Sequence, residues 1–301
     1  MSLLDLRLEA QCPAKVNLAL SVLGVRADGY HEIRTVFQAV DLADTLVVRP
    51  SRDLTLSCEA VGVPRDASNL VVRAARLLAE RCGVRAGAAI ALTKRIPVGG
   101  GMGGGSSDAA GALVALSALW GLGLGVEDLE PLAARVGADV PFFLHGGTAV
   151  GDERGDRIAP MPFAGPLRLL LAVPPFGIPA AEAYAWADAH LTLAPKDVSV
   201  EPAAAGKVSP GKDFRWGVND LEAGVFERFP GLLAMRDGLL RGGASIALLS
   251  GSGSTVFGVF DDSGSLQRAA ENLATRFPGW RLLPARGVPD AARVVAAGGP
   301  V

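Results

Sequence analysis

Apolar and polar residues alternate along the first part of the chain. Leu6 to Cys12 does so, and after Pro13 the alternation resumes. Val16, Leu18, Leu20 and Val22 then form one face, and Lys15, Asn17, Ala19 and Ser21 the other, the period of two expected of strands. Asp28-Gly29 is a turn signal, and Tyr30 to Val40, Thr45 to Val48 and Leu54 to Cys58 are further predicted strands. The period then lengthens. Asn69 to Cys82 predicts a helix with Leu70, Ala74, Leu77 and Leu78 on its inner face and Gly83 just past its end. Ala88 to Lys94 predicts a strand. Asp108 to Trp120 predicts a helix, with Ala110, Leu113, Val114 and Leu116 at helical spacing and Gly121 ending it. A short helix is expected over Glu127 to Val136, and Asp139-Val140-Pro141 reads as the start of another turn, ended by Gly146-Gly147.

Between Arg157 and Pro166 prolines and a glycine interrupt the pattern, so a domain boundary is expected there, dividing the chain into 1–160 and 161–301. Beyond it the pattern predicts a strand at Arg168–Val173 and a helix at Pro179–His190. A polar segment from Leu191 to Asp213 follows, long enough for an ordered loop to be unusual. Helices at Asn219–Phe229 and Gly231–Arg241, strands at Ser245–Leu249 and Thr255–Phe260, a helix at Ser265–Phe277 and a strand at Trp280–Leu283 complete the series. Strand, helices, two strands, helix and strand suggest a split βαβ, ferredoxin-like arrangement, and the whole reads as α+β. The tail from Ala296 has little to anchor it.

Chemistry concentrates in a few places. Pro97, Val98, Gly99, Gly100, Gly101, Met102, Gly103, Gly104, Gly105, Ser106 and Ser107 form a glycine-serine loop between a predicted strand and a predicted helix. Glycines let a ligand lie against the backbone, and a helix N-terminus offers unpaired N–H groups and a positive dipole end. The loop lacks the Gly-Lys-Ser/Thr close of a Walker A motif, so by itself it implies an anion, with phosphate as the natural one. A second glycine-serine stretch runs from Ser250 to Ser254. Lys15 and Asn17 project together from an otherwise small-residue strand face. Asp139 suits a helix cap as well as a catalytic carboxylate. Tyr30 and His31 follow the Asp-Gly turn, and Tyr184 is the chain's second and last tyrosine.

Composition narrows the classes. Hydrophobic residues at 50% and charged residues at 20% describe a core-forming globular protein. A net charge of −2 gives no bulk attraction to nucleic acid or to an anionic membrane. No apolar run is long enough to span a bilayer, and the N-terminus lacks the apolar run of a signal peptide. Three widely spaced cysteines and three scattered histidines outline neither a disulfide framework nor a metal motif, and a reduced, cytoplasmic setting is expected. No Gly-x-Ser-x-Gly elbow supports a hydrolase nucleophile.

Taken together, Pro13-Ala14-Lys15-Val16-Asn17, the loop Pro97–Ser107 and the stretch Ser250–Ser254 leading into Val256-Phe257 resemble the three motifs of the GHMP kinases, in order and across nearly the whole chain. Arg26-Ala27-Asp28-Gly29-Tyr30-His31-Glu32, Asn69 to Ala75, Gly137-Ala138-Asp139-Val140-Pro141 and Asn219-Asp220-Leu221-Glu222 are similar to the branch that acts on a cytidine-diphosphate-linked methylerythritol. The resemblance implies a two-domain fold, an N-terminal ribosomal-protein-S5-like domain and a C-terminal ferredoxin-like domain, with the active site in the cleft between them. It implies phosphorylation of the 2-hydroxyl of 4-diphosphocytidyl-2-C-methyl-D-erythritol by ATP with Mg²⁺, a step of the non-mevalonate route to isoprenoids. Lys15 and Asp139 would be catalytic. The glycine loop would hold the triphosphate, with Asn69 and Lys94 bordering the adenine. Asn17 would contact the substrate, and Tyr30, His31 and Tyr184 would receive its cytosine, the two tyrosines on opposite sides. A residue beyond the serines, Asp108 is expected to face outward or to reach the nucleotide. A monomer or weak homodimer that binds neither nucleic acid nor membrane is expected. The rival readings are a GHMP kinase for another small alcohol, such as homoserine or mevalonate, and a non-catalytic nucleotide binder of the same fold.

Overall fold

A computed structural model describes residues 6–190 and 217–298, and the predicted polar segment 191–213 lies outside them. The N-terminal half runs β1 (Arg7–Val25), β2 (His31–Ser51), β3 (Thr55–Cys58), α1 (Leu70–Cys82), β4 (Gly87–Thr93), α2 (Gly104–Leu119), α3 (Val126–Val136), α4 (Phe142–His145), β5 (Thr148–Asp152) and β6 (Arg157–Met161). The remainder is β7 (Arg168–Val173), α5 (Ala180–Asp188), α6 (Glu222–Arg228), α7 (Pro230–Arg241), β8 (Ile246–Leu249), β9 (Val256–Phe260), α8 (Ser263–Arg276), β10 (Arg281–Arg286) and β11 (Arg293–Gly298). One sheet has the order β11-β1-β2-β4-β3, with β5 on the far part of β2 and β6 on β5; the other has the order β10-β7-β9-β8. The second order, with all pairs antiparallel, is the ferredoxin-like one the pattern predicts.

The long strands β1 and β2 depart from the simple alternation. Their register slips between Pro13 and Ala14, between Asn17 and Ala19, and between Val22 and Gly24. At the middle slip β1 carries one residue more than β2, and an extra residue turns the following side chains to the other face. Val16 and Leu18 therefore pack with Met102, Leu169, Leu171 and Phe257, whereas Leu20 and Val22 pack with Ile33, Ala187 and Leu221. The single face expected from Val16 to Val22 is split, and Leu20 lines the same cleft as Lys15 and Asn17.

Three further expectations are corrected. Rather than starting at Asp108, α2 starts at Gly104, because Gly103 takes a left-handed conformation (φ 68°) as its cap and puts Ser106 and Ser107 inside the first turn. The inner face of α1 is Val71, Val72, Ala74, Ala75 and Leu78, with Leu70 and Leu77 only partly covered. The first part of the tail, residues 296–298, does have an anchor, since β11 pairs antiparallel with β1 from Arg7 to Gln11. The region of broken pattern at Arg157–Pro166 contains β6, whose prolyl residue is tolerated because it forms an edge strand.

Helix α2 is buried along almost its whole surface, between the first sheet and α1 and α3. Gly111 faces β1 so closely that a Cβ there would lie 2.3 Å from Cys12 Sγ. Cys12 is itself fully buried, and burial first, then the nearby carboxylates of Asp108 and Asp44, push its thiol pKa well up, so it packs as a small apolar group. Among the described residues no helix is long and apolar enough to cross a membrane.

Two opposed effects decide the outcome of Gly111→Ala. Alanine gains about 1 kcal/mol of helix propensity, while overpacking a tight core costs about 1–3 kcal/mol. The short contact is with the thiol alone, since Cys12 Cβ and Ala10 Cβ would lie 3.8 and 4.0 Å away, but that thiol is fully buried and must shift within the core, so net destabilisation of about 0–2 kcal/mol is expected in urea unfolding.

Candidate active site

The glycine loop is built by its neighbours. Its carbonyl oxygens are turned into the protein: Gly100 O accepts from Thr255 N at 3.1 Å, Met102 O from Lys15 N at 3.0 Å, and Gly101 O from both Lys15 Nζ and Ser250 Oγ at 3.0 Å. A Cβ on Gly101 would fall 2.3 Å from Ser250 O, and one on Gly103 2.7 Å from the Phe143 ring, so no other residue fits either place. At the opening turn of α2 the N–H groups of Gly104, Gly105 and Ser106 have no carbonyl within the helix, which leaves donors for an anion. Ser107 Oγ is buried there and has no partner among the described residues. The loop forms one wall of a cavity of about 370 Å³ whose other walls include Gly62, Pro64, Asn69, Lys94 and Asp108.

Asn69 and Lys94 border that cavity with their bonding capacity largely spent. Asn69 Oδ1 caps α1 by accepting from Val71 N at 2.9 Å, and its Nδ2 donates to Pro64 O at 2.7 Å. Lys94 Nζ is held between Asp44 and Asp108 Oδ2, the latter at 2.6 Å. Asp108 therefore does not face outward: it is buried, bound to Lys94, with its second oxygen unpartnered among the described residues. Asp44 escaped the sequence reading because it lies mid-strand in β2; its Oδ1 accepts from Arg95 N at 2.5 Å and Ile96 N at 2.9 Å, tying the start of the loop to β2. Burial, with the negative charge of Asp44 added, outweighs the pull of Lys94 and raises the Asp108 carboxyl to about 7. Burial lowers the Lys94 pKa, but the two carboxylates together raise it further, leaving it above its ordinary value.

Beyond the loop, Gly101, Gly103 and Ser106 also line a second cavity of about 680 Å³. Lys15, 4% exposed, sits at the junction. Its Nζ donates to Asn17 Oδ1 at 2.7 Å and lies 3.5 Å from Asp139 Oδ2 and 5.5 Å from the centre of the Phe37 ring. Asn17 Nδ2 donates in turn to Thr35 Oγ1 at 2.7 Å, and Thr35 to Ala19 O at 2.7 Å. Asp139 stands in the turn before α4, its side chain 34% exposed, so it faces the cavity as well as the lysine. The site thus holds a buried ammonium with three oxygen partners and a carboxylate open to an incoming group.

Tyr30, His31 and Tyr184 line the same cavity. The arrangement differs from two tyrosines facing across a gap. Tyr184 lies stacked on the His31 imidazole, ring centres 4.7 Å apart, while the exposed Tyr30 ring carries the Arg154 guanidinium 5.3 Å from its centre. His31 Nε2 is 2.8 Å from Asp188 Oδ1. Burial, then the Asp139 charge, push the Tyr184 phenol pKa up. Arg154 and Asp188 were missed because each is a lone charged residue with no local pattern around it. The other two histidines are elsewhere: His145 pairs with Glu130 and His190 with Glu227.

Two further motif residues hold the frame. Asn219 Nδ2 donates to Leu249 O at 2.9 Å and Gly251 O at 2.7 Å, and Asp220 Oδ2 accepts from Val22 N at 2.9 Å. They fasten the second glycine-serine stretch and the end of β1 together. Among the described residues no group of three or more His, Cys, Asp or Glu side chains could hold a metal ion by itself.

Comparison with known proteins gives the class. Residues 69–147 match the family model of the GHMP kinases N terminal domain, and residues 212–279 that of the GHMP kinases C terminal. A homoserine kinase structure from Cytophaga hutchinsonii, 20% identical, superimposes with a TM-score of 0.73 over 98% of this chain and 99% of that one, a likeness of fold. A crystal structure of 4-(cytidine 5'-diphospho)-2C-methyl-D-erythritol kinase, 36% identical, gives a TM-score of 0.72 over 93% of this chain and 99% of that one. The 4-diphosphocytidyl-2-C-methyl-D-erythritol kinase of Deinococcus radiodurans is 41% identical over 91% of each chain, and that of Geobacillus kaustophilus 40% identical over 89% of this chain and 93% of its own. The chain belongs to this family, the 4-diphosphocytidyl-2-C-methyl-D-erythritol kinases within the GHMP kinases.

Asp108 carries a pH signature. Its folded pKa, about 7, exceeds the ordinary aspartate value of 3.8, so between these values the folded chain holds a proton that the unfolded chain has released. Its contribution to stability is therefore present at low pH and is lost as pH rises toward 7. Asp108→Asn cannot release the proton. The stability of Asp108→Asn relative to the parent, from urea unfolding at pH 5 and pH 8, is expected to shift in favour of the variant at the higher pH.

Proposed function

We propose that the chain transfers the terminal phosphoryl group of ATP to the 2-hydroxyl of 4-diphosphocytidyl-2-C-methyl-D-erythritol, with the chemistry at Lys15 and Asp139. One observation carries the reading: the Lys15–Asp139 pair stands where the glycine-loop cavity meets the cavity lined by Tyr30, His31 and Tyr184. A phosphate seat and an acceptor seat that share one wall are what a direct transfer between two bound molecules needs. The family's dependence on ATP fits the first cavity.

Phosphoryl transfer asks the protein for alignment and for neutralisation of charge more than for covalent chemistry. The N-terminal turn of α2 supplies N–H donors and the positive end of the helix dipole to the phosphates. Lys15, held by Gly101 O and Asn17 Oδ1, keeps its ammonium at a fixed point beside the transferred group and stabilises negative charge on Asp139. Asp139 accepts the hydrogen bond of the attacking hydroxyl and takes its proton as the new bond forms. A Mg²⁺ ion that arrives with the nucleotide would neutralise charge between the phosphates. Ser107 Oγ, an unpartnered buried oxygen in the first turn of α2, fits such an ion, as does the half-exposed Asp139.

In the larger cavity the aromatic groups suit a nucleobase. A stacked base is worth roughly 1–3 kcal/mol per aromatic contact. Tyr184→Ala is expected to raise KM for the cytidyl substrate while KM for ATP stays nearly constant; equal effects on both would remove the base from this cavity. Homoserine and mevalonate have no base for these rings to meet, which argues against the rival acceptors.

The direct test is purified protein with ATP and Mg²⁺ offered 4-diphosphocytidyl-2-C-methyl-D-erythritol, homoserine and mevalonate in parallel. Phosphorylation of the first alone is expected, and its absence would end this reading. Asp139→Asn and Lys15→Ala should each lower kcat by roughly two to four orders of magnitude with a native circular-dichroism spectrum. Retention of most of the parent kcat by Asp139→Asn would show that the carboxylate is not the proton acceptor.

A further inference from the structure

Tyr184 and Asp188 are four residues apart in α5 and therefore share one face of the helix. Both engage a single side chain that belongs to the other sheet. The Tyr184 ring covers one face of His31, with 23° between the planes, and Asp188 Oδ1 meets its Nε2 at 2.8 Å. Stability gives little reason for this carboxylate. It occupies the last turn of its helix, where the dipole disfavours an acid, and at 49% exposure water competes for its contact with the histidine. What the contact does achieve is geometric. A carboxylate can only accept, so against Nε2 it commits a proton to that nitrogen, and in the neutral form of the ring Nδ1 is then the acceptor. The Tyr184 ring restricts rotation that would exchange the two nitrogens.

We propose that Asp188 is a positioning residue for base recognition, acting through His31 by selecting the Nε2–H tautomer. The inference rests on the larger cavity being the seat of the substrate's base. An acceptor at Nδ1 suits a pyrimidine with an exocyclic amino group and opposes one with a carbonyl at that position, because two facing acceptors leave both unsatisfied. Asp188 thereby favours cytosine over uracil although it touches neither.

The test uses the full chain. Imidazole ¹⁵N spectra of His31 are recorded with and without cytidine 5′-diphosphate, for the parent, Asp188→Ala and Asp188→Asn. Kinetics are compared for the cytidyl substrate and its uridyl analogue. The parent should show the proton on Nε2, and Asp188→Ala a mixture of tautomers. In Asp188→Ala, KM for the cytidyl substrate should rise roughly three- to tenfold, the loss of one charge-assisted hydrogen bond's orienting effect, and the preference over uridyl should fall by a similar factor. The KM for ATP and kcat at saturation should not follow. Asp188→Asn, whose amide can either accept from Nε2–H or donate to Nε2, should fall between the parent and Asp188→Ala in both tautomer and preference. A merely structural role would move the melting temperature and both KM values together and leave base preference alone. A parent proton on Nδ1, or unchanged base preference in Asp188→Ala, would overturn the role of Asp188. Failure of the parent to bind cytidine 5′-diphosphate would instead overturn the assignment of the cavity, and this inference with it.

Discussion

The carbonyl oxygen of Gly101 accepts from Lys15 Nζ and from Ser250 Oγ, and the rest of the site depends on that meeting. Three stretches far apart in the chain converge on one backbone group. If a side chain replaced the hydrogen at Gly101, it would strike the backbone of the Ser250–Gly253 turn, and the convergence would be lost. The double acceptance also explains why a lysine can be nearly fully buried. An ammonium in a core is costly unless its donors are matched, and here Gly101 O, Asn17 Oδ1 and Asp139 match them. The cation proposed to act in catalysis is thus part of the scaffold that holds the glycine loop, which couples the shape of that loop to where the charge sits.

Strand β1 makes this possible through its second edge. One edge pairs with β2 along its length. The other is taken in turn by β11, then by the glycine loop at Lys15 N, then by residues 217–220 through Leu18 O, Leu20 N and Leu20 O. The register slip between Asn17 and Ala19 falls inside this last part and moves Leu20 to the cleft side. A strand that changes face in mid-course can bury Val16 and Leu18 against the second sheet and still offer Lys15, Asn17 and Leu20 to the cavity. The second sheet answers with α5, whose Ala187 packs beside Leu20, Val22 and Ile33 and so brings Tyr184 and Asp188 to His31.

Beside the glycine-loop cavity lies a different use of charge. Lys94, Asp44 and Asp108 are all buried, with two carboxylates to one ammonium. Burial first, with the second carboxylate added, is why Asp108 holds its proton to about neutral pH, and the group acts as a clamp between β2, the loop and α2 rather than as a free cation.

Local pattern was enough for most elements: the strand at Arg168–Val173, the helix after Asn69 and the succession of strands and helices after Arg168 are written in periodicity, caps and turns, which are properties of neighbours in the chain. The motif residues Lys15, Asp139, Tyr30 and His31 were also legible, since residue type and order alone mark them, and the resemblance they carry was to the right family. What local pattern could not hold is anything decided by a partner distant in sequence. The anchoring of β11 on β1, the phase of α1, the change of face at Asn17–Ala19 and the start of α2 within the glycines all depend on what packs opposite. So do the burial of Asp108 on Lys94 and the seating of Tyr184 on His31. By itself the sequence determined which chemistry is present and in what order along the chain. Only the tertiary structure decided which of those groups are spent on each other and which are left facing the cleft, because hydrogen-bond capacity and burial are properties of neighbours in space.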